Sequence, residues 1–301
     1  MDGILPLWKP KGMTSHDCVF KVRKILGMKK VGHTGTLDPD VTGVLPICLG
    51  RATKLSDYIM NAGKTYEGEV TLGFSTTTED ASGEIVDSKT VDGKVSKESV
   101  LEVLSQLTGD IQQTPPMYSA VKVNGKKLYE YARAGIEVER PTRTVHIYSL
   151  DLIGPIQQEE GTVRFRFNVS CSKGTYIRTL AVTIGEMLGY PAHMSDLKRT
   201  SSGSFAEKDC ITLEQLQELT EKGIVEEAIY PLERGISHLP IMEISDTLAE
   251  KVKNGAVLES TADLPEAHEW VFTEHGHALA IYQPHPTKPG MIKPVKVLRI
   301  E

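Results

Sequence analysis

The chain has 301 residues, 40% hydrophobic and 25% charged, which suffices for a sizeable core and lies outside the composition of disordered, collagen-like or disulfide-scaffolded proteins. A formal net charge of −6 argues against a uniformly basic nucleic-acid binder, yet the charge is unevenly placed. Residues 1–64 carry net +5 and residues 115–210 net +3, while 65–114 and 211–301 are each −7, so two basic segments could meet on one face.

Ser15 is placed to cap a helix whose apolar face carries Cys18, Val19, Val22, Ile25 and Leu26, with Gly27 at the stop position. The run from Gly32 to Gly43, GHTGTLDPDVTG, is too dense in Gly, Thr and Pro for a regular helix or central strand and reads as a shaped loop. From Thr65 the period is two: Tyr66, Val70 and Leu72 fall on one face and Glu67, Glu69 and Thr71 on the other, a half-buried strand with Tyr66 inward. Residues 96–108 form an amphipathic helix closed by Gly109. The stretches Pro115 to Lys122 and Lys126 to Arg133 are basic and flecked with tyrosine, and read as a loop and short helix projecting from the body. Val163, Phe165, Phe167 and Val169 mark a second strand. The turn Cys171 to Arg178 then leads into a helix buried through Ile177, Ala181, Ile184 and Leu188, with Arg178 in its first turn. Thr212 and Gln215 make a capping-box pattern ahead of Leu213, Leu216 and Leu219. Beyond about Leu239 short apolar pieces broken by Gly and Pro indicate a compact, mostly β appendage.

Four scattered cysteines, Cys18, Cys48, Cys171 and Cys210, show no CxxC spacing, and the histidines form no HExxH, so reduced structural thiols and no metal are expected. The N-terminus lacks a basic flank followed by a long apolar run, and no stretch approaches the roughly 18 apolar residues of a membrane span. A cytoplasmic protein is expected.

Asp38 stands between Leu37 and Pro39 in the glycine-rich loop, where backbone can approach a ligand closely. On local grounds it is either a turn former ahead of proline or a reactive carboxylate. No Gly-Lys-Ser/Thr closes the loop, which excludes a Walker-type phosphate cradle.

The segment Gly32-His33-Thr34-Gly35-Thr36-Leu37-Asp38-Pro39, with Thr42-Gly43-Val44-Leu45-Pro46 and Gly50-Arg51-Ala52-Thr53-Lys54 after it, resembles the first signature of the TruB family of tRNA pseudouridine synthases. Lys64-Thr65-Tyr66 resembles the second signature, and Cys171 to Leu180 the third. Segments 115–120 and 126–133 look like the family's RNA-gripping insertion, and the tail is similar to a PUA-type domain. The resemblance implies an α+β fold: a mixed, largely antiparallel sheet flanked by helices, with a small C-terminal PUA-like β domain. It divides the chain into a catalytic domain over 1–235, with its insertion at about 115–145, and an RNA-binding domain over 236–301.

It further implies isomerisation of uridine 55 in the tRNA T-loop, by a monomer without cofactor or protein partner, and a possible role in tRNA folding. Asp38 would be the nucleophile, Arg178 its ion-pair partner, and Tyr66 a ring stacked on the flipped base that takes a proton in the last step. His33 would fill the gap left by the flipped nucleotide, and Tyr176 and Leu197 would line the uracil pocket. Lys9, Lys11, Lys64, Lys122, Lys126, Lys173, Lys198 and Arg199 are expected phosphate contacts. Whether the carboxylate attacks C6 or C1′, or supports a glycal route, stays open. So do two rivals, an RNA-guided synthase and a tRNA-binding or folding protein without chemistry.

Overall fold

The computed structural model describes residues 1–93, 95–260 and 264–299. In chain order the catalytic part runs β1 (Gly3–Lys9), α1 (Ser15–Leu26), β2 (Val31–His33), β3 (Thr42–Leu49), α2 (Ser56–Asn61), β4 (Lys64–Leu72), β5 (Phe74–Thr76), β6 (Ile85–Ser88), α3 (Lys97–Gln106) and β7 (Gly109–Gln113). It continues with β8 (Lys122–Val123), β9 (Lys126–Lys127), α4 (Leu128–Arg133), β10 (Arg143–Glu159), β11 (Thr162–Cys171), α5 (Ile177–Met187), β12 (Ala192–Ser202), β13 (Phe205–Ala206), α6 (Leu213–Glu221) and α7 (Leu232–Gly235). A second, smaller unit holds β14 (Ile241–Glu243), α8 (Asp246–Lys253), β15 (Leu258–Glu259), β16 (Trp270–Glu274), β17 (His277–Pro284) and β18 (Met291–Val297). Among the described residues no helix is long and apolar enough to cross a membrane.

Nine strands make one mixed sheet with the path β1-β3-β12-β4-β11-β10-β7, to which β2 and β13 add at β3 and β12. Every pairing is antiparallel except β3 with β12, a short parallel contact at Lys198↔Thr42 and Arg199↔Gly43. The expected α+β architecture is therefore present.

The two alternating strands are β4 and β11, paired at Tyr66↔Val169 and Val70↔Phe165, and their inward residues meet α3 and α5 in the largest core cluster. Burying that face removes branched and aromatic side chains from water at roughly 25 cal/mol per Å² of apolar area. A second cluster packs α1 and α6 against β1 and β3. A third joins Ile4, Ile59 and Leu232 of the catalytic part to Val271, Ala278, Ile281 and Leu298 of the small unit. That unit is a five-stranded sheet, β14-β16-β17-β18-β15, closed by α8. Glu233 fastens it by accepting from Ala278 N and from Arg299 Nη1, both at 2.7 Å.

At the start of α1 the cap is Thr14, not Ser15. Thr14 Oγ1 accepts from Asp17 N at 3.0 Å while Asp17 Oδ2 accepts from Thr14 N at 2.9 Å, and Gly27 ends the helix in the left-handed conformation at φ 63°. Ser15 is freed for another role: its hydroxyl accepts from Leu37 N at 2.8 Å and donates to Leu37 O at 3.2 Å, tying the helix to the Asp38 loop. The loop itself is shorter than its composition indicates, because Val31–His33 and Thr42–Leu49 both join the sheet. The expected capping box of α6 is present, with Thr212 and Gln215 bonded reciprocally.

Candidate active site

The Asp38 loop is fixed from four sides. Thr34 Oγ1 donates to Pro46 O, Ser15 holds Leu37, Gly12 N donates to Pro39 O, and Val41 N closes a turn on Asp38 O. Beneath it Lys9 is fully buried and its ammonium donates to Pro10 O, Pro39 O and Val41 O at 2.9, 3.0 and 2.7 Å. The backbone around Asp38 is thus held while its side chain remains partly exposed.

Arg178, the second residue of α5, is 6% exposed and reads as the hub. Its Nε lies 3.1 Å from Asp38 Oδ2, Nη1 donates to Thr78 O at 2.9 Å, and Nη2 donates to Tyr118 O at 2.9 Å. A second carboxylate, Asp80, sits 3.8 Å from Nη1. Asp80 accepts from Thr78 Oγ1, Ser82 N and Ser82 Oγ, so all of its bonds hold it as an acceptor facing the guanidinium. The arginine is oriented by groups from three separate segments.

Tyr66 lies on β4 in the same apolar cluster as Leu37, Val41, Ile177 and Leu197, with Leu197 on β12 opposite Gly68. Burial pushes its phenol pKa up, and the neighbouring Arg199 opposes that rise. Tyr176 caps α5, its backbone clamped by Gln113, which accepts from Tyr176 N at 2.9 Å and donates to Tyr176 O at 3.1 Å. His33, on the other flank of the loop, is half-buried; burial and then Arg199 hold its imidazole below the usual range. Its Nδ1 is buried and has no hydrogen-bond partner among the described residues. The structure therefore brings Asp38, Arg178, Tyr66 and Leu197 together, with Tyr176 and His33 at the rim.

The expected phosphate contacts divide. Lys11, Lys122, Lys126 and Lys173 are exposed, Lys173 donating to Asn61 Oδ1 at 2.7 Å. Lys198 is paired with Glu67 at 3.0 Å and Glu207 at 3.5 Å. Lys9, Lys64 and Arg199 are buried, and their side chains end on backbone carbonyls and not in solvent. Lys64 donates to Met60 O and Ala62 O, and burial followed by Arg199 pushes its pKa down to about 8. Their signal was in the strand period, since Lys64 shares a face with Tyr66 and Arg199 with Leu197. Asp80, Ser15 and Gln113 had no such signal, being joined to the site only through tertiary contacts.

Replacing Lys9 by methionine is expected to leave three loop carbonyls without their donor. The fold should lose about 2 kcal/mol, from the cost of unsatisfied buried polar groups, by urea denaturation. Turnover should fall more than binding, because the loop that aims Asp38 is loosened.

A partly exposed carboxylate 3.1 Å from a buried arginine, beside an apolar cluster that holds Tyr66 and Leu197, is the arrangement that the resemblance to the pseudouridine synthases leads one to expect. The comparisons give the family. Residues 23–177 match the TruB family pseudouridylate synthase N-terminal domain, and residues 178–237 the tRNA pseudouridylate synthase B C-terminal domain. The tRNA pseudouridine synthase B of Geobacillus thermodenitrificans is 62% identical over 302 residues, covering 99% of this chain and 100% of that protein. That of Bacillus subtilis is 59% identical over 302 residues, covering 99% and 98%. The crystal structure of a Cbf5-Nop10-Gar1 complex superposes at TM-score 0.75 with 31% identity, covering 98% of this chain and 84% of that one. An H/ACA RNP bound to a substrate RNA containing 2′-deoxyuridine superposes at 0.72 with 28% identity, covering 98% and 84%. The chain belongs to the TruB family of pseudouridylate synthases.

Proposed function

We propose that the protein isomerises uridine 55 in the T-loop of tRNA to pseudouridine, with Asp38 as the nucleophile. The observation that carries the chemistry is the Arg178–Asp38 pair, 3.1 Å apart, with the arginine buried and the carboxylate partly exposed. The choice of tRNA is supported by the full-length likeness to relatives named tRNA pseudouridine synthase B.

The reaction breaks the N-glycosidic bond, turns the uracil and joins C5 to ribose C1′ without redox change. A carboxylate can trap or stabilise the electron-poor sugar carbon, as in retaining glycosidases, or add to uracil C6. Arg178 keeps Asp38 aimed in a site from which bound base excludes water. A stacked uridine must first be extruded, at a cost of a few kcal/mol. His33 fills the gap, Tyr66 stacks on the flipped base, and Tyr176 and Leu197 close the pocket around it. Lys11, Lys122, Lys126 and Lys173 grip phosphates, and Lys198 joins them by exchanging its carboxylate partners. Residues 1–235 form the catalytic domain and 236–301 a PUA-like RNA-binding domain, the whole acting as a cytoplasmic monomer.

The test is tritium release from C5-labelled, unmodified tRNA. Release confined to one T-loop position supports the reading; binding of tRNA without release points to a folding protein, and release only with an added guide RNA points to the RNA-guided form.

A further inference from the structure

Arg199 is fully buried yet faces no carboxylate within ion-pair distance among the described residues. A buried guanidinium is costly to desolvate and is ordinarily compensated by an anion. Here the permanent partners are only carbonyls: Nε donates to Val44 O at 2.8 Å and Nη2 to Gly35 O at 3.3 Å. Two further buried cations, Lys9 and Lys64, also end on carbonyls. Positive charge is therefore concentrated beneath the Asp38 loop, answered nearby by Asp38 and Asp40, and it can take up a further negative charge that forms during reaction.

The position of Arg199 says where that charge forms. On one side of β12 it pairs with Gly43 across the parallel junction, and on the other with Tyr66 across the antiparallel one. Cross-strand partners share a face, so the Arg199 and Tyr66 side chains lie side by side on β12 and β4, and the charge of the one acts on the phenol of the other. Gly43 makes the crossing possible: at φ 125° it leaves room where a Cβ would stand 2.7 Å from Arg199 N and closer still to its carbonyl oxygen.

We propose that Arg199 is the positioning residue for Tyr66, its guanidinium holding the phenolic oxygen and supplying the countercharge for the phenolate that removes the C5 proton. This deepens the reading of Tyr66 as the terminal base and rests on it. Once C1′ is bonded to C5, that carbon still carries its hydrogen. The phenolate takes it as a proton, and the C–H electron pair becomes the C5=C6 bond. The displaced pair either moves from C6=N1 onto N1, which takes a proton from water, or leaves C6 with the Asp38 carboxylate. The phenol then returns its proton to water. Apart from Arg199, the charged or titratable groups facing Tyr66 are Cys171 on the adjoining strand and Asp38 in the loop, both of which oppose the phenolate. Lys64 at the head of the same strand adds positive charge beside Arg199. Burial raises the phenol overall, so below its pKa each unit that Arg199 lowers it makes the phenolate about tenfold more abundant while weakening the base by a smaller factor.

Single-turnover tritium release is measured from about pH 6.5 to 10 for the parent, Arg199→Gln, Arg199→Lys and Tyr66→Phe. Arg199→Gln should lose about 100-fold near pH 7.5 and regain part of it at alkaline pH, its rising limb displaced upward by about a unit or more. Arg199→Lys, which keeps the charge, should lose about tenfold with its limb where the parent has it. A loss by the same factor at every pH, with an unmoved limb, overturns the proposal and leaves Arg199 a strand clamp. Should the glutamine variant not fold, Arg199→Lys is compared in the Tyr66→Phe background. No further loss there supports the coupling, and an undiminished loss refutes it. A Tyr66→Phe protein as fast as the parent, with the same limb, would instead remove Tyr66 as the base, a failure distinct from that of Arg199.

Discussion

Asp38→Asn is expected to reduce isomerisation by at least about 10⁴-fold, or some 5 kcal/mol of transition-state stabilisation, while tRNA binding and folding persist. The amide keeps the shape of the carboxylate but cannot form or stabilise a bond to an electron-poor carbon. Stability should change by less than about 1 kcal/mol, because Asp38 is 44% exposed and a partly solvated ion pair contributes little. Arg178 is not orphaned either, since Asp80 and the carbonyls of Thr78 and Tyr118 still hold it. Binding should be almost unchanged, because phosphate contacts dominate affinity. The measurement pairs C5 tritium release with filter binding and a thermal melt. Retention of more than about 1% of the rate would transfer the nucleophile's role away from Asp38, with Asp80 the first residue to examine.

Much of this site was legible in the sequence, for identifiable reasons. Asp38 stood out because Gly and Pro punctuate its loop, and Tyr66 because strict alternation assigns its face. The strands β4 and β11 are half-buried, which is the condition under which period two appears. By contrast β1 and β3 are buried almost throughout, so Ile4-Leu5-Pro6-Leu7 and Val44-Leu45-Pro46-Ile47 show no alternation to read. The 17-residue β10 was hidden because its register breaks between Ile147 and Ser149 and again between Ile153 and Gln157.

Charge misled in a different way. Lys9, Lys64 and Arg199 were read by residue type as solvated and phosphate-facing, whereas their strand positions turn them beneath the catalytic loop. A cation whose ends are met by carbonyls can be buried, and nothing in residue type distinguishes it from one gripping a phosphate. Asp80 was invisible for a topological reason. It lies in the turn between β5 and β6, and only the packing of that hairpin against β12 and α5 carries it to Arg178.

That packing makes Arg178→Lys the second severe substitution, expected to lower turnover by about 10²- to 10³-fold and stability by about 3 kcal/mol. The guanidinium acts in three directions at once, toward Asp38, toward Thr78 O with Asp80, and toward Tyr118 O. A lysine carries the charge on a single nitrogen and can serve only some of these acceptors. Whichever it abandons is left unpaired in a site with little water. Tyr118 belongs to the segment before the β8–β9 hairpin, so the loss should also loosen the hairpin that presents Lys122 and Lys126, raising the apparent Kd for tRNA where Asp38→Asn does not. Single-turnover rates, tRNA titration and urea denaturation on the same preparation separate the three effects. If instead the lysine variant matched Asp38→Asn in rate and the parent in stability and affinity, Arg178 would serve Asp38 alone. Its bonds to the two carbonyls would then contribute nothing to the architecture. Adding Asp80→Asn decides between a shared network and independent contacts. A network predicts that the second change costs far less in the lysine background than in the parent, because the carboxylate it neutralises has already lost its partner.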